Sequence, residues 1–377
     1  MSRRGTQALA VAALSAACIA ASALAAGPPP VTARAYLVEN TAAGEVLAAR
    51  RPRARVPIAS ITKLMTVLVA LEHRRLRDVV TVDARAAAVG ESSIGLAGGE
   101  RMTVADLARA ALIQSANDAA DALALAVAPD FEAFARLMNA RARALRMTDT
   151  HFVRPDGLDA PGHVSSARDV TTLARAAMRI RFVRDTVRMT SATLATGRSV
   201  HTWNDLLTTF PGLIGVKTGH TAGAGWSQVA AVRGRGLTVY ATLLGSPARS
   251  ARNEDLAELL AWALAQYRVV AAIDGRRVYA TVSLPYGKQP LELRAERPLQ
   301  AVARVERPLA EKVVAAAAVA LPVRKGQVLG HVEVWAGKRL VGRRDLVSSR
   351  TVNRPGTVTR VSWYAHRAAH NIVALFS

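Results

Sequence analysis

The sequence predicts an α/β chain of the α+β kind: a large domain that mixes helices with antiparallel strands, then a smaller all-β domain. Three observations lead there. Two short strand-like runs near residue 40 precede a block of amphipathic helices instead of alternating with them, and two long β-runs joined by Arg233-Gly234-Arg235-Gly236 close that block as a hairpin. After about residue 272 helical periodicity fades and short Val-rich runs replace it. With 377 residues, the chain can bury a full core in one large domain and still carry a second.

Tyr36-Leu37-Val38-Glu39 and Glu45-Val46-Leu47-Ala48 flank a turn around Ala42-Ala43-Gly44 and read as two strands of a hairpin. A helical stretch opens at Pro57-Ile58-Ala59-Ser60 and runs to about His73, with Leu64, Leu68 and Leu71 at helical spacing. Residues 103–127 are again helical, with Val104, Leu107 and Ala111 on one side and Ser115-Ala116-Asn117 at a junction. Residues 131–145 and 169–179 add two helices around a loop marked by Pro155, Gly157, Pro161 and Gly162. The closing hairpin covers 225–232 and 237–244, and a helix over 253–267 follows it. The later Val-rich runs are 278–284, 299–305, 313–321, 327–335 and 339–347. This divides the chain into 26–272, a β domain over 273–352, and a last helix within 353–377.

Both ends carry signals of their own. Arg3-Arg4, an apolar run from Ala8 to about Leu24, and Ala23-Leu24-Ala25 before Ala26 give the basic, apolar, small-x-small order of a cleaved secretory signal over residues 1–25. A transmembrane anchor is the alternative, but the run is short and Ala-rich for a bilayer span. Cys18, the only cysteine, falls inside this leader, with Ser15 where a lipoprotein signal needs a larger apolar residue. The exported chain therefore has no thiol, and disulfide, redox and Cys-metal chemistry drop out. Losing Arg3 and Arg4 takes the formal charge from +22 to about +20, which favours anionic partners such as phospholipid headgroups. Nucleic acid is the poorer partner, given export and the lack of any stacking or Cys/His module. At the C-terminus Val361, Ala365, Ala368, Ile372 and Leu375 form an apolar stripe at spacings of four and three. Such a helix lies on an anionic membrane surface or docks on a core.

Residues 1–287 hold thirty-two arginines and two lysines, and both lysines, Lys63 and Lys217, sit in short polar motifs. Lysine can lose its proton near neutral pH when buried or placed beside another cation, whereas guanidinium stays charged. Ser60 and Lys63 are three apart at a helix start, which puts hydroxyl and amine on one face. A serine needs such an adjacent base to become a nucleophile, and N–H groups at a helix start favour developing negative charge. Ser115-Ala116-Asn117 supplies a second hydroxyl and an amide, and Lys217-Thr218-Gly219 supplies an amine, a hydroxyl and a close backbone approach. Alone, each reads as a helix cap or a turn. Together, in this order, they match the S-x-x-K, S-x-N and K-T-G set of penicillin-binding proteins and serine β-lactamases, with Ala116 in place of Asp in the second.

The chain resembles the low-molecular-mass D-alanyl-D-alanine carboxypeptidases of peptidoglycan maintenance. The likeness rests on Pro57-Ile58-Ala59-Ser60-Ile61-Thr62-Lys63, Gln114-Ser115-Ala116-Asn117-Asp118, His151-Phe152-Val153, Gly157-Leu158-Asp159 and Gly215-Val216-Lys217-Thr218-Gly219-His220-Thr221. It extends more loosely through Lys325-Gly326-Gln327 to the tail. The resemblance implies a serine β-lactamase/D,D-peptidase-like antiparallel sheet with helices, and no cofactor or metal. It implies that Ser60 is acylated, Lys63 is its base, and Ser115 relays a proton to the departing D-alanine amine. Asn117 would hold the substrate backbone. Lys217 would keep Lys63 neutral by repulsion and, with Thr218 beside Gly219, anchor the substrate. The amides of Ser60 and His220 would form the oxyanion hole, and Arg252 would stand near the substrate carboxylate. The partners it implies are peptidoglycan stem peptides, β-lactams as covalent inhibitors, and an anionic membrane under the C-terminal helix. The expected location is the periplasmic face of the inner membrane, peripherally anchored. Trp203, Arg154 and Asp156 depart from the family's pattern.

Three rival functions draw on the same features, and one metal site needs checking. A serine β-lactamase needs an added carboxylate base, and no E-x-x-L-N block lies between Asn117 and Lys217. An endopeptidase cutting cross-links would use the same residues, and only the second domain and tail favour a carboxypeptidase. A non-catalytic peptidoglycan binder has no reason to keep a titratable Ser-Lys pair. His366 and His370 are one helical turn apart but have no third ligand nearby for a metal.

Overall fold

A computed structural model describes residues 27–41 and 44–373, with side chains up to 366, so the predicted leader and Ala42-Ala43 of the first turn lie outside the described residues. The chain divides into two units, Met1–Ala265 and Gln266–Ser377. In the first, β1 (Ala35–Asn40) and β2 (Glu45–Arg50) are followed by a single 3-10 turn, α1 (Ala59–Thr62), and by α2 (Lys63–His73). Next come β3 (Val79–Thr81), α3 (Ala84–Ala87), β4 (Arg101–Thr103), α4 (Val104–Ile113), α5 (Asn117–Val127), α6 (Phe131–Ala144), α7 (Ala167–Ala177) and α8 (Arg181–Thr186). The unit closes with β5 (Ser191–Thr193), β6 (Ser199–His201), α9 (Leu206–Thr209), β7 (Leu213–Thr221), β8 (Gly225–Gly234), β9 (Leu237–Ser246) and α10 (Arg249–Ala265).

A five-stranded antiparallel sheet in the order β2-β1-β9-β8-β7 forms its spine. Leu37 stands opposite Thr242, Val229 opposite Thr242 on β9's other side, and Lys217 opposite Val229. Successive strand residues face opposite sides, so each strand serves two layers. Val229 and Ala231 join the large apolar cluster formed by α2, α4, α5 and α7. Gly234, in phase with Ala230 and Val232, comes against Leu264 of α10, which packs along β8 and β9 from the other face. Helix starts are set by local chemistry. The side chains of Thr103, Asp130 and Ser166 accept the backbone N–H groups of Asp106, Ala133 and Asp169, satisfying donors that the first helical turn leaves free.

The predicted break at residues 115–117 is present between α4 and α5, and the hairpin of β8 and β9 stands where expected. Two readings need correction. Lys217-Thr218-Gly219 is not a turn ahead of that hairpin but the middle of β7, an edge strand that isolated polar residues and two glycines had hidden. The helix placed over 253–267 begins at Arg249 and ends at Ala265, and Tyr267 opens a strand.

That strand also moves the domain boundary, from 272/273 to 265/266. β10 (Tyr267–Ile273) pairs with β13 (Leu299–Arg304), Tyr267 opposite Arg304, and so belongs with the second unit. The rest of that unit is an antiparallel sheet of β11 (Val278–Val282), β12 (Leu291–Ala295), β14 (Ala310–Ala315), β15 (Val328–Ala336) and β16 (Arg339–Ser348), in the order β11-β12-β16-β15-β14. Ile273, Val282, Leu291, Leu293, Val332, Val334 and Leu346 fill its core. The final helix, α11 (Thr357–Val373), sets Trp363 and Tyr364 edge-on against Tyr286 and leaves Val361 63% exposed. Among the described residues no helix is long and apolar enough to cross a membrane.

Candidate active site

Ser60 lies in the 3-10 turn and Lys63 is the first residue of α2. With three residues per turn, positions i and i+3 eclipse in such a turn, which stacks the two side chains more directly than an α-helix would. Lys63 Nζ donates to Ser60 Oγ at 2.8 Å, to Asn117 Oδ1 at 2.7 Å and to the carbonyl of Asp156 at 2.6 Å. The lysine is fully buried. Loss of water disfavours its ammonium form and lowers its pKa to about 8, against the attraction of Asp156, Asp121, Glu91 and Asp118.

Ser115 takes a left-handed backbone (φ 68°) in the break between α4 and α5, and its Oγ accepts from Lys217 Nζ at 2.8 Å. Because Lys217 shares the face of Val229, its side chain enters the site from the sheet as Ser115 enters from the helices. Lys217 is pushed well below the usual lysine range, first by burial and then by the charges of Lys63 and Arg252. Burial depresses both lysines, and repulsion between them disfavours their being charged together.

Asn117, the first residue of α5, has its carboxamide engaged twice, accepting from Lys63 and donating through Nδ2 to the Gly90 carbonyl at 2.9 Å. One amide N–H is left for anything else. Ser60, Ser115, Asn117, Thr218, Gly219, His220 and Arg252 all line one cleft of about 170 Å³, with Lys63 and Lys217 directly behind it. Arg252, 1% exposed, is held by Asn253 Oδ1 at 2.6 Å and by Asp205. Burial lowers its pKa to about 10, which leaves it charged at neutral pH. The structure brings together all nine residues singled out in the sequence.

Two glycines decide how closely the parts approach. A Cβ on Gly219 would stand 2.7 Å from the Ile58 carbonyl oxygen, and one on Gly157 would stand 2.2 Å from that of Ala59. From either side, then, β7 and the loop at 157 press bare backbone onto the turn that carries Ser60. Ala59 pays for this closeness with a left-handed φ of 49°.

Sequence reading missed several supports. Asp156, noted only as a departure, is fully buried, binds Arg154 at 2.6 Å and presents its carbonyl to Lys63. His163 accepts the Val153 N–H at Nδ1 (3.1 Å), which assigns its proton to Nε2 and makes it the donor to Thr62 Oγ1 at 2.8 Å. Burial lowers its pKa to about 4 and keeps it neutral. Asp121 is raised to about 8 by burial and by Asp156. At the rim, Trp203 donates to the Gln114 carbonyl at 2.9 Å under the Arg249 guanidinium, and Trp226 stacks on His220 with ring centroids 4.0 Å apart. Most of these contacts join residues far apart in the chain, as those of Lys63 with Asp156, Thr62 with His163 and Gln114 with Trp203 do, and so carry no short-range signature.

Residues 22–248 match the family model described as D-alanyl-D-alanine carboxypeptidase. The D-alanyl-D-alanine carboxypeptidase DacD of Salmonella typhimurium is 31% identical over 360 residues, covering 90% of this chain and 92% of that protein. DacB2 of Mycobacterium tuberculosis, also named a D-alanyl-D-alanine carboxypeptidase, is 33% identical over 223 residues, 58% of this chain and 76% of its own length. The crystal structure of penicillin binding protein 6B from Escherichia coli superposes with a TM-score of 0.64 at 28% identity, covering 85% of this chain and 97% of its own. The fold read from the sequence, a D,D-peptidase-like sheet with helices and a separate β region, is the one found. Matched over most of its length by proteins with this activity, the chain belongs to the D-alanyl-D-alanine carboxypeptidase family and is a serine-type carboxypeptidase.

Proposed function

We propose that Ser60 Oγ attacks the carbonyl carbon between the two D-alanines of a peptidoglycan stem peptide, with Lys63 as base. The observation that carries this reading is the 2.8 Å approach of a fully buried, pKa-depressed amine to a hydroxyl at the mouth of a cleft. Neutral Lys63 takes the hydroxyl proton as the Oγ–C bond forms, and the oxyanion lies between the amides of Ser60 and His220. As the C–N bond breaks, a proton reaches the leaving amine through Ser115, and water later cleaves the ester. Arg252 and Thr218 meet the terminal carboxylate, whose charge restores the ammonium form of Lys217. Asn117 holds Lys63 and offers its remaining N–H to the substrate.

A β-lactam acylates Ser60 by the same step, but its amine stays tethered and keeps water out. After benzylpenicillin, the intact protein should gain one drug mass, mapped to the peptide containing Ser60, and a D-Ala-D-Ala peptide should lose one D-alanine. An adduct on Ser115 or on no residue would overturn the assignment.

The same proposal places the enzyme at the periplasmic face of the inner membrane, with residues 1–25 as leader and 353–377 as peripheral anchor. The exposed Val358 and Val361 on α11 support it. Deleting residues 355–377 should move the protein from the membrane fraction to the soluble one with penicillin labelling intact. Retention in the membrane would count against the anchor.

A further inference from the structure

A second pocket, of about 460 Å³, opens at the other end of the central hairpin from the active site. Trp226 at the start of β8 borders the active cleft, while Arg233 at its end borders this pocket. Seven residues of extended strand separate them by about 23 Å. Arg175 and Arg179, from α7 and its exit, form the wall across from Arg233, and Thr41, Thr238 and Tyr240 complete the lining.

Three guanidinium groups thus surround one cavity. Arg175 is bound to Glu39 at 2.7 Å, but the side chains of Arg179 and Arg233 have no carboxylate partner among the described residues. The cavity carries a net charge of +2 once Glu39 is counted. Tyr240, 6% exposed, lines the same pocket, close enough to Arg175, Arg233 and Glu39 for their charges to act on its hydroxyl. Burial raises the Tyr240 pKa, which keeps that hydroxyl a donor.

We propose that this pocket binds a phosphate-type anion, held in the forks of Arg179 and Arg233 with the Tyr240 hydroxyl donating from below. Guanidinium forks match the paired oxygens of phosphate, and a charge near −2 on a phosphomonoester balances the cavity, whereas a single carboxylate leaves it positive. The volume accommodates the phosphate and a substituent, so the source is either a soluble phosphorylated molecule or a phospholipid headgroup.

Titration of the full chain with phenyl phosphate at low salt should show one site. Arg179→Ala/Arg233→Ala should weaken it at least about tenfold and Tyr240→Phe about threefold, the loss of one buried hydrogen bond. The rate of acylation by benzylpenicillin should stay within about twofold in both variants, since neither touches the active cleft. Arg143→Ala/Arg146→Ala removes the same charge elsewhere, and an equal loss there would reduce the effect to non-specific attraction and overturn the site. Unchanged affinity in the Arg179/Arg233 variant would overturn it too. Vesicles containing phosphatidic acid, whose headgroup is a phosphomonoester, then separate the sources: weaker retention of the Arg179/Arg233 variant than of wild type assigns a lipid headgroup, and equal retention assigns a soluble phosphate.

Discussion

Lys63→Arg should slow acylation by benzylpenicillin about 10³-fold or more, and Ser60→Ala should abolish it. A positioned general base contributes roughly 10²–10⁴ in rate, and guanidinium cannot serve because it does not release its proton. The effect should exceed that of lost packing, so both proteins are first checked for wild-type circular dichroism and cooperative melting. The wild-type pH profile gives an independent reading. Burial lowers the Lys63 pKa to about 8, and only the neutral amine accepts the Ser60 proton. Acylation should therefore climb about tenfold per pH unit below pH 8 and level off above it. A rate that is flat from pH 6 to 9, or near-wild-type activity in Lys63→Arg, would remove Lys63 from the role of base. The role would then pass to Lys217, whose contact with Ser115 Oγ at 2.8 Å offers the second route for the proton.

Gly157→Ala should destabilise the first unit by roughly 3 kcal/mol and cut acylation with it. Its φ of +84° costs an alanine about 1–2 kcal/mol, and the new Cβ would lie 2.2 Å from the Ala59 carbonyl oxygen, so backbone must move. That backbone is the turn that aims Ser60. Gly197→Ala is the control, since Gly197 has nearly the same φ, +82°, but nothing within 4 Å of the added carbon. Urea unfolding of the two variants isolates the cost of close approach, and equal losses would show that only the backbone angle matters. Gly219→Ala, 2.7 Å from the Ile58 oxygen and on a regular strand, should affect acylation more than stability.

How far the site could be read in advance follows from how local each part is. Ser60 and Lys63 are one turn apart, so their pairing needs only helix geometry, and the scarcity of lysine marked both Lys63 and Lys217 as exceptions. The break at Ser115 was legible because a hydroxyl and an amide interrupt an apolar period. β7 was not legible, because its strand character comes from pairing with β8, and its glycines answer to distant neighbours, Gly219 to the turn at Ile58 and Gly215 to Val187. Tyr267 looked like the end of a helix until its pairing with Arg304 assigned it to the second unit.

By itself the sequence determined the chemistry on offer: which hydroxyls, amines and amides the chain carries, their order, and the helices and hairpin that hold them. The tertiary structure alone decided their states. Lys63 titrates near 8 because α5, the 156 carbonyl and the sheet shut out water, and His163, Asp121 and Tyr240 owe their protonation to the same exclusion. Desolvation and charge act through space with little regard for separation along the chain, whereas helical spacing and turn preference act between near neighbours and can be read directly from residue order.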